Sequence, residues 1–145
     1  MCLCGGQGCL ESLAAPAAVV ARAGEDAALA DKLGLRGRQL SARSDFAKIA
    51  RLAAGGDARC LELIEESATY LAKALLSITN LLDLDQIILA GPGFSEAGDI
   101  YACVAAQEIN RLSYVRAMRP TRVELSKLGP SAAALGAASL VLHSN

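Results

Sequence analysis

The sequence contains no tryptophan, one histidine and few aromatic residues, which make up 3% of its 145 residues. Hydrophobic residues nevertheless reach 53%, with alanine and leucine dominating. This composition is typical of helices that pack closely through small side chains. A chain of this length can bury a substantial core, so residues 1–145 are expected to form a single domain.

The sequence also lacks an excess of either charge, with a formal net charge of −1, and its basic residues are scattered. No basic stripe of the kind that binds nucleic acid is therefore predicted. No uninterrupted apolar stretch reaches the roughly 18–20 residues that span a bilayer, and the first residues do not resemble a signal peptide. We expect a cytoplasmic protein without a membrane partner. A mildly basic cluster, interpreted as solvated surface, comprises Arg111, Arg116, Arg119 and Arg122.

The apolar pattern predicts mostly helices. One helix is expected over residues 11–23, where Pro16 is tolerable only in the first turn. The longest is expected over residues 58–82, capped by Asp57, with a stripe interpreted as core rather than as a dimer face. That stripe comprises Leu61, Ile64, Ala68, Leu71, Leu75, Ile78 and Leu82. Further helices are expected over residues 26–33, 44–54, 96–112 and 131–143, and buried strands over residues 86–90 and 121–125.

This order predicts an α/β fold that is rich in helices, with a short parallel sheet. Two strands make a poor sheet by themselves, so the chain is interpreted as part of a larger domain whose other strands lie upstream. Open strand edges and uncovered apolar helices favour self-association. A homodimer or larger oligomer is therefore expected.

Three of the five cysteines, Cys2, Cys4 and Cys9, lie in one glycine-rich loop. Zinc prefers thiolate and imidazole ligands in a tetrahedron, and the intervening glycines allow the loop to fold back on itself. The spacing favours a zinc site over a loop of free thiols. His143 could supply a fourth ligand, although a lone polar residue at a helix end is usually solvated. The isolated Cys60 and Cys103 are interpreted as small buried hydrophobic residues.

The pattern Cys-x-Cys-Gly-x-x-Gly-Cys-Leu-Glu over residues 2–11 resembles, at every fixed position, a signature of the ROK family of sugar kinases and sugar-responsive repressors. Residues 80–91 resemble the family's long helix leading into a strand and a glycine turn. Residues 135–138 resemble its closing helix. The resemblance therefore extends over essentially the whole chain.

The resemblance implies the C-terminal lobe, in part, of a ribonuclease-H-like actin/hexokinase fold. It also implies that Cys2, Cys4 and Cys9 are three of four zinc ligands, the fourth being an upstream histidine absent here, so that one position is exchangeable. Glu11 matches a glutamate that accepts hydrogen bonds from sugar hydroxyls, a role suited to its two carboxylate oxygens. A first-turn glutamate favoured by the helix dipole is the alternative interpretation of Glu11.

The turn after the first strand resembles the family's nucleotide-binding turn, with Gly91 and Gly93 as weaker candidates for nucleotide contact. Pro92 removes a backbone donor there, which favours a plain strand-to-helix turn capped by Ser95. Pro92 also favours the effector-binding and oligomerisation half of a sugar-responsive regulator, with a sugar kinase as the alternative. The family's phosphate loop, catalytic aspartate and DNA-binding helix-turn-helix belong to a region N-terminal to this sequence. Residues 1–145 alone are therefore expected neither to phosphorylate sugar nor to bind DNA.

Overall fold

The structure is a computed structural model that describes residues 2, 4–115 and 117–143, excluding the side chain of His143. Seven helices and two strands are found in this part of the chain. Short 3-10 turns at Pro92–Phe94 and Gly129–Ser131 precede α6 and α7. The elements are α1 (Leu10–Ala14), α2 (Pro16–Glu25), α3 (Ala27–Leu33), α4 (Ala42–Ala54), α5 (Ala58–Leu82), β1 (Gln86–Leu89), α6 (Gly98–Leu112), β2 (Arg122–Leu125) and α7 (Ala132–His143).

The prediction of a single helix over residues 11–23 is wrong, because the helix is interrupted at Ala15. Ala15 is extended, with φ −65° and ψ 154°, and Pro16 begins α2. Proline disfavours helical backbone in the residue before it and lacks the N–H that the preceding helix would need. Pro16 suits the first position of α2, where no intrahelical donor is required. The result is a separate five-residue helix, α1, next to the cysteine loop.

Side-chain caps fix the beginnings of α4 and α5. Asp57 accepts a hydrogen bond from the Cys60 N–H at 3.0 Å, which confirms the predicted cap of the longest helix. The expected start of α4 at Ser44 is two residues late, because Ser41 is the cap. Its hydroxyl accepts from the Ser44 N–H at 3.2 Å.

α5 packs between α4 and α6 and lies at the centre of the core. Ile64 and Ala68 of the predicted stripe are fully buried, whereas Ile78 and Leu82, near the end of the helix, are 43% and 63% exposed. The stripe is therefore core over most of its length and surface at its end. Much of the helix's buried face is small or polar: Cys60, Ser67, Ala68, Ala72 and Thr79.

The two isolated cysteines differ in their surroundings. Cys60 is fully buried, as expected, and burial raises the pKa of its thiol to about 11. The prediction for Cys103 is wrong, because this residue is exposed on the outer face of α6. Its thiol accepts a hydrogen bond from the Gln107 side-chain amide, one turn further along the helix, at 3.3 Å.

β1 and β2 pair in parallel, with Gln86 opposite Arg122, which confirms the predicted α/β arrangement. Ile87 and Leu89 of β1 are buried against the helices. α6 connects the strands and begins at Gly98, where an added Cβ would lie 2.9 Å from two methyl groups of Leu125. Glycine therefore lets α6 approach β2 without displacing the Leu125 side chain.

The last helix, α7, leaves large apolar side chains in contact with solvent. Leu140, Val141 and Leu142 are between 67% and 77% exposed. None of the described helices is long and apolar enough to cross a membrane. Of the basic cluster, Arg111 and Arg122 are exposed and Arg119 is partly so, while Arg116 lies outside the described residues.

Candidate functional site

The three cysteines of the opening loop come together. The Sγ atoms of Cys2, Cys4 and Cys9 all lie within 4.8 Å of one another, and those of Cys4 and Cys9 are 3.5 Å apart. Thiolates about 2.3 Å from one zinc ion are spaced closely enough to fit this arrangement. The donor set and its geometry can therefore hold a soft metal ion.

The backbone of the loop brings the thiols together. The Cys2 N–H donates to the Gly6 carbonyl at 3.0 Å, and Gly5 and Gly8 have φ angles of 81° and 71°. A Cβ on Gly6 would lie 3.1 Å from the Cys9 sulfur and 3.3 Å from the Cys4 sulfur. Glycine at position 6 thus leaves the space that the two sulfur atoms occupy.

Two thiols of the loop have shifted acidity. A hydrogen bond from the Gly6 backbone lowers the pKa of the exposed Cys4 thiol, and the neighbouring cysteines lower it further. The hydrogen bond with Cys4 raises the pKa of Cys9. Cys4 is therefore the thiol of this pair that loses its proton first, and a thiolate is the form that binds metal.

Glu11 lies in the first turn of α1, two residues after Cys9. The Ser12 hydroxyl donates to the Cys9 carbonyl at 2.8 Å, and the Ser12 N–H donates to the same oxygen at 3.0 Å. These bonds join α1 directly to the cysteine loop. The Glu11 side chain is exposed and lines a cleft of about 490 Å³.

The cleft brings Glu11 and Gly93 to one site, although they are far apart in the sequence. One wall is the break between α1 and α2, at Ala15 and Pro16, and another is the turn after β1. Sequence reasoning did not identify the wall formed by α4, which includes Arg43 and Phe46. The rarity of phenylalanine, of which the chain has two, is the one sequence signal that could have drawn attention to Phe46.

Gly91, the other glycine of the turn, lines a neighbouring recess of about 330 Å³. This recess lies where β1 and β2 end, the edge at which parallel α/β sheets usually bind ligands. It adjoins the cleft, because Ser95 and Pro130 line both. Gly91 has φ 122° and ψ 169°, a conformation essentially restricted to glycine.

Pro92 is the first residue of the 3-10 turn. A proline in that position removes an N–H that has no intrahelical acceptor, so it does not disturb the turn. The predicted cap at Ser95 is wrong, because Ser95 ends the 3-10 turn and Ala97 precedes α6, where no side-chain cap is formed. The turn is therefore built by Gly91 and Pro92 rather than by a serine cap.

The sequence matches the model of the ROK family over residues 1–144. It is 29% identical over 149 aligned residues to a glucokinase from Halalkalibacterium halodurans, covering 97% of this chain and 42% of that protein. The fold is similar to the crystal structure of a candidate sugar kinase from Cytophaga hutchinsonii, with a TM-score of 0.69 and 26% identity. That similarity covers 92% of this chain and 44% of the other.

The chain thus spans less than half the length of each of these two relatives. Its helices and parallel strands have the actin/hexokinase-type arrangement of the sugar kinase structure, which confirms the expected fold. The family match extends over nearly the entire sequence and includes the cysteine loop, α1 and the glycine turn. This chain therefore belongs to the ROK family.

Proposed function

We propose that this chain forms the sugar-binding and nucleotide-binding half of an ATP-dependent sugar kinase of the glucokinase type. The observation that carries the proposal is the adjacency of the Glu11 cleft and the Gly91 recess. A kinase must hold its phosphate donor beside its acceptor. Two adjoining spaces, one lined by a carboxylate and one by a glycine turn at the strand ends, suit that requirement.

The comparisons support the kinase better than the regulator that the sequence first favoured. Both relatives described above are named as sugar kinases. The argument for a regulator depended on the backbone donor lost at Pro92. Pro92 begins a 3-10 turn without disturbing it, so the turn keeps its glycines in place although that one donor is lost.

In this proposal Glu11 accepts hydrogen bonds from two neighbouring sugar hydroxyls. Hydrogen bonds to a charged acceptor contribute about 1.5–3 kcal/mol each, more than neutral ones. Gly91 and Gly93 leave room for the nucleotide to approach the backbone closely. In-line phosphoryl transfer then depends mainly on positioning and on stabilisation of charge.

We further propose that Cys2, Cys4 and Cys9 hold zinc. The ion would supply structure rather than chemistry, because thiolate-rich sites of this kind serve mainly to fix the fold. Cys9 is the residue before α1, so a metal there would fix the beginning of the helix that carries Glu11. The identity of any fourth ligand is independent of this argument.

Self-association is also proposed, as the uncovered apolar side chains suggest. Leu81 and Leu82 of α5 are 81% and 63% exposed, and α7 is exposed along most of its length. Apolar surface of this extent is usually covered by another subunit or segment. Light scattering over a dilution series should give a mass above that of the monomer. A compact monomer with a cooperative melt would contradict the proposal.

A coupled assay of the intact protein with ATP tests the kinase proposal. Glucose, N-acetylglucosamine and N-acetylmannosamine serve as acceptors, and turnover with at least one of them is expected. Glu11→Gln should abolish most of this turnover, whereas Glu25→Gln, an exposed glutamate at the end of α2, should not. Tight sugar binding without turnover, together with a helix-turn-helix upstream in the gene, would support the regulator instead.

A further inference from the structure

The carboxyl end of α1 has carbonyl groups without intrahelical partners, because Pro16 breaks the helix. In a continuous helix the Ala18 N–H would donate to the Ala14 carbonyl, but here it donates to Ala15 at 2.9 Å. The hydroxyl of Ser67, on α5, donates to the Ala14 carbonyl instead, at 2.8 Å. A side chain 53 residues away thus completes the end of α1.

A second buried hydroxyl supports Ser67. The oxygen atoms of Ser67 and Tyr101 are 2.7 Å apart, and the two residues are 0% and 4% exposed. Because Ser67 gives its hydrogen to Ala14, Tyr101 must donate to Ser67. Burial raises the pKa of Tyr101, so its hydroxyl keeps the hydrogen that this bond requires. We call Ser67 and Tyr101 the hydroxyl pair.

The hydroxyl pair also connects to the glycine turn. The rings of Tyr101 and Phe94 meet edge to face, with centroids 5.4 Å apart and planes at 82°. Phe94 follows Gly93 and belongs to the same 3-10 turn. Tyr101 therefore connects to two of the elements that line the cleft, to α1 through Ser67 and to the glycine turn through Phe94.

A salt-bridged arginine holds the neighbouring carbonyl of α1. Arg22 donates to the Leu13 carbonyl at 2.9 Å and pairs with Glu66 of α5 at 3.2 Å. α1 has five residues, fewer than a stable isolated helix needs, so its placement depends on such outside bonds. Ser67 and Tyr101 are the buried members of this set, so water cannot replace the hydrogen bonds that they make.

We propose that Ser67 and Tyr101 are positioning residues for the sugar site, holding Glu11 at a fixed distance from the glycine turn. The inference rests on the proposed function, because it assigns the hydroxyl pair a role in sugar binding through Glu11. Neither hydroxyl contacts the sugar in this proposal. The pair determines where α1 lies, and α1 determines where the Glu11 carboxylate meets the sugar.

A double-mutant cycle in the intact protein tests this. Ser67→Ala and Tyr101→Phe are made in the wild-type and in the Glu11→Gln background, and glucose affinity is measured by calorimetry. In the background that retains Glu11, we expect each change to weaken glucose binding about 10-fold, comparable to losing one hydrogen bond to a charged acceptor. In the Glu11→Gln background the same changes should alter affinity less than about 2-fold, since coupled residues are not additive.

Two matched controls lie on α5. Ser77→Ala removes an exposed hydroxyl that donates to the Lys73 carbonyl of its own helix, and Tyr70→Phe removes a tyrosine hydroxyl outside the pair. Both should leave glucose affinity unchanged. If Ser67→Ala does not fold, Tyr101→Phe carries the test alone, because it removes one oxygen and keeps the ring.

The outcomes separate the two proposals. Equal effects of the hydroxyl changes in both backgrounds, or no effect in either, would overturn the positioning role and leave sugar binding by Glu11 intact. Glucose affinity unaffected by Glu11→Gln, or no glucose binding at all, would overturn the proposed function and the positioning role with it. If the hydroxyl changes weaken glucose binding only in the background that retains Glu11, the result would support both the proposed function and the positioning role.

Discussion

The two ends of α1 are fixed by different chemistry. At its beginning, Ser12 bonds to Cys9, and the thiols of the cysteine loop, exposed at Cys4 and partly buried at Cys2 and Cys9, lie together in a geometry that fits a metal. At its end, the buried hydroxyls of Ser67 and Tyr101 hold the last carbonyl. The beginning of α1 therefore adjoins a candidate metal site, whereas its end is held by buried hydroxyls of the folded core.

Under the proposed function, this difference shows how a short helix would hold its sugar-binding residue in place. Nucleating a helix of five residues is unfavourable by itself, because few internal hydrogen bonds offset the ordering of its backbone. Hydrogen bonds from outside the helix must supply the remaining stabilisation. Glu11 lies near the beginning of α1. Its orientation should depend mainly on the cysteine loop, whereas its distance from the glycine turn should depend mainly on the hydroxyl pair.

The largest expected effect concerns the beginning of α1. Intact protein should bind about one equivalent of zinc, and Cys9→Ser should weaken zinc affinity by more than the ~100-fold seen for losing an outer-shell partner. Cys103→Ser, an exposed cysteine on α6, is the matched control and should change nothing. Metal analysis with a competing chelator measures both. Equal zinc retention by Cys9→Ser would remove the metal proposal.

Glu11→Gln should have the next largest effect. Replacing a charged acceptor by a neutral one should raise the glucose dissociation constant about 10- to 100-fold, given ~1.5–3 kcal/mol per charged hydrogen bond. Stability should hardly change, because the side chain is exposed. Calorimetric titration with glucose measures this, with Glu25→Gln as control. If the two variants bind glucose equally, Glu11 does not contact the sugar and is a first-turn glutamate favoured by the helix dipole.

The end of α1 should contribute to stability. Ser67→Ala leaves the Ala14 carbonyl and the Tyr101 hydroxyl without a partner, which should lower the free energy of unfolding by about 2–3 kcal/mol. Tyr101→Phe leaves Ser67 bonded to Ala14, so about 1 kcal/mol is expected. Ser77→Ala should stay within about 0.5 kcal/mol of wild type. Urea unfolding provides the comparison, and equal losses from Ser67→Ala and Ser77→Ala would contradict it.

α4, which also lines the cleft, should differ from the hydroxyl pair in how its contribution to stability depends on pH. Asp45 of α4 is buried, accepts two hydrogen bonds from Arg38 and one from the Ser41 N–H, and these partners hold its pKa below the usual range. Its contribution to stability is complete above the unfolded pKa, about 3.9, and is lost as pH falls through the lower folded pKa.

Asp45→Asn should therefore cost about 1.5–3 kcal/mol at neutral pH and flatten the loss of stability below pH ~4. Ser67→Ala should shift the whole profile down without changing its slope there, since neither hydroxyl of the pair titrates in acid. Thermal unfolding between pH 2 and 7 measures both. An unchanged acid slope in Asp45→Asn would show that other carboxylates dominate.

Short-range patterns in the sequence, namely capping residues and apolar spacing, predicted the secondary structure that such patterns determine. The Asp57 cap, the helix over residues 58–82 and both strands follow from capping and from apolar spacing, and they are confirmed. The break at Pro16 was missed because a proline near a helix start is compatible with either one helix or two. Burial of Cys103 was predicted wrongly because a helical pattern does not reveal which face another element covers.

The site was predictable only in part for the same reason. The cysteine spacing and the resemblance to a family led to Cys2, Cys4, Cys9 and Glu11, and the loop does bring the thiols together. The hydroxyl pair left no pattern in the sequence. Ser67 and Tyr101 are 34 residues apart, and each alone is an unremarkable polar residue on an apolar helix. Only the packing of α5 against α6 and α1 makes them neighbours.

A crystal structure of the intact protein with zinc and glucose would test the account most directly. It should place the Glu11 carboxylate within hydrogen-bonding distance of two adjacent glucose hydroxyls, in the cleft shared with Gly93. The sulfur atoms of Cys2, Cys4 and Cys9 should lie about 2.3 Å from the metal, with the Ser67 hydroxyl still bonded to Ala14. Glucose bound away from Glu11, with α1 displaced from Ser67, would contradict the account.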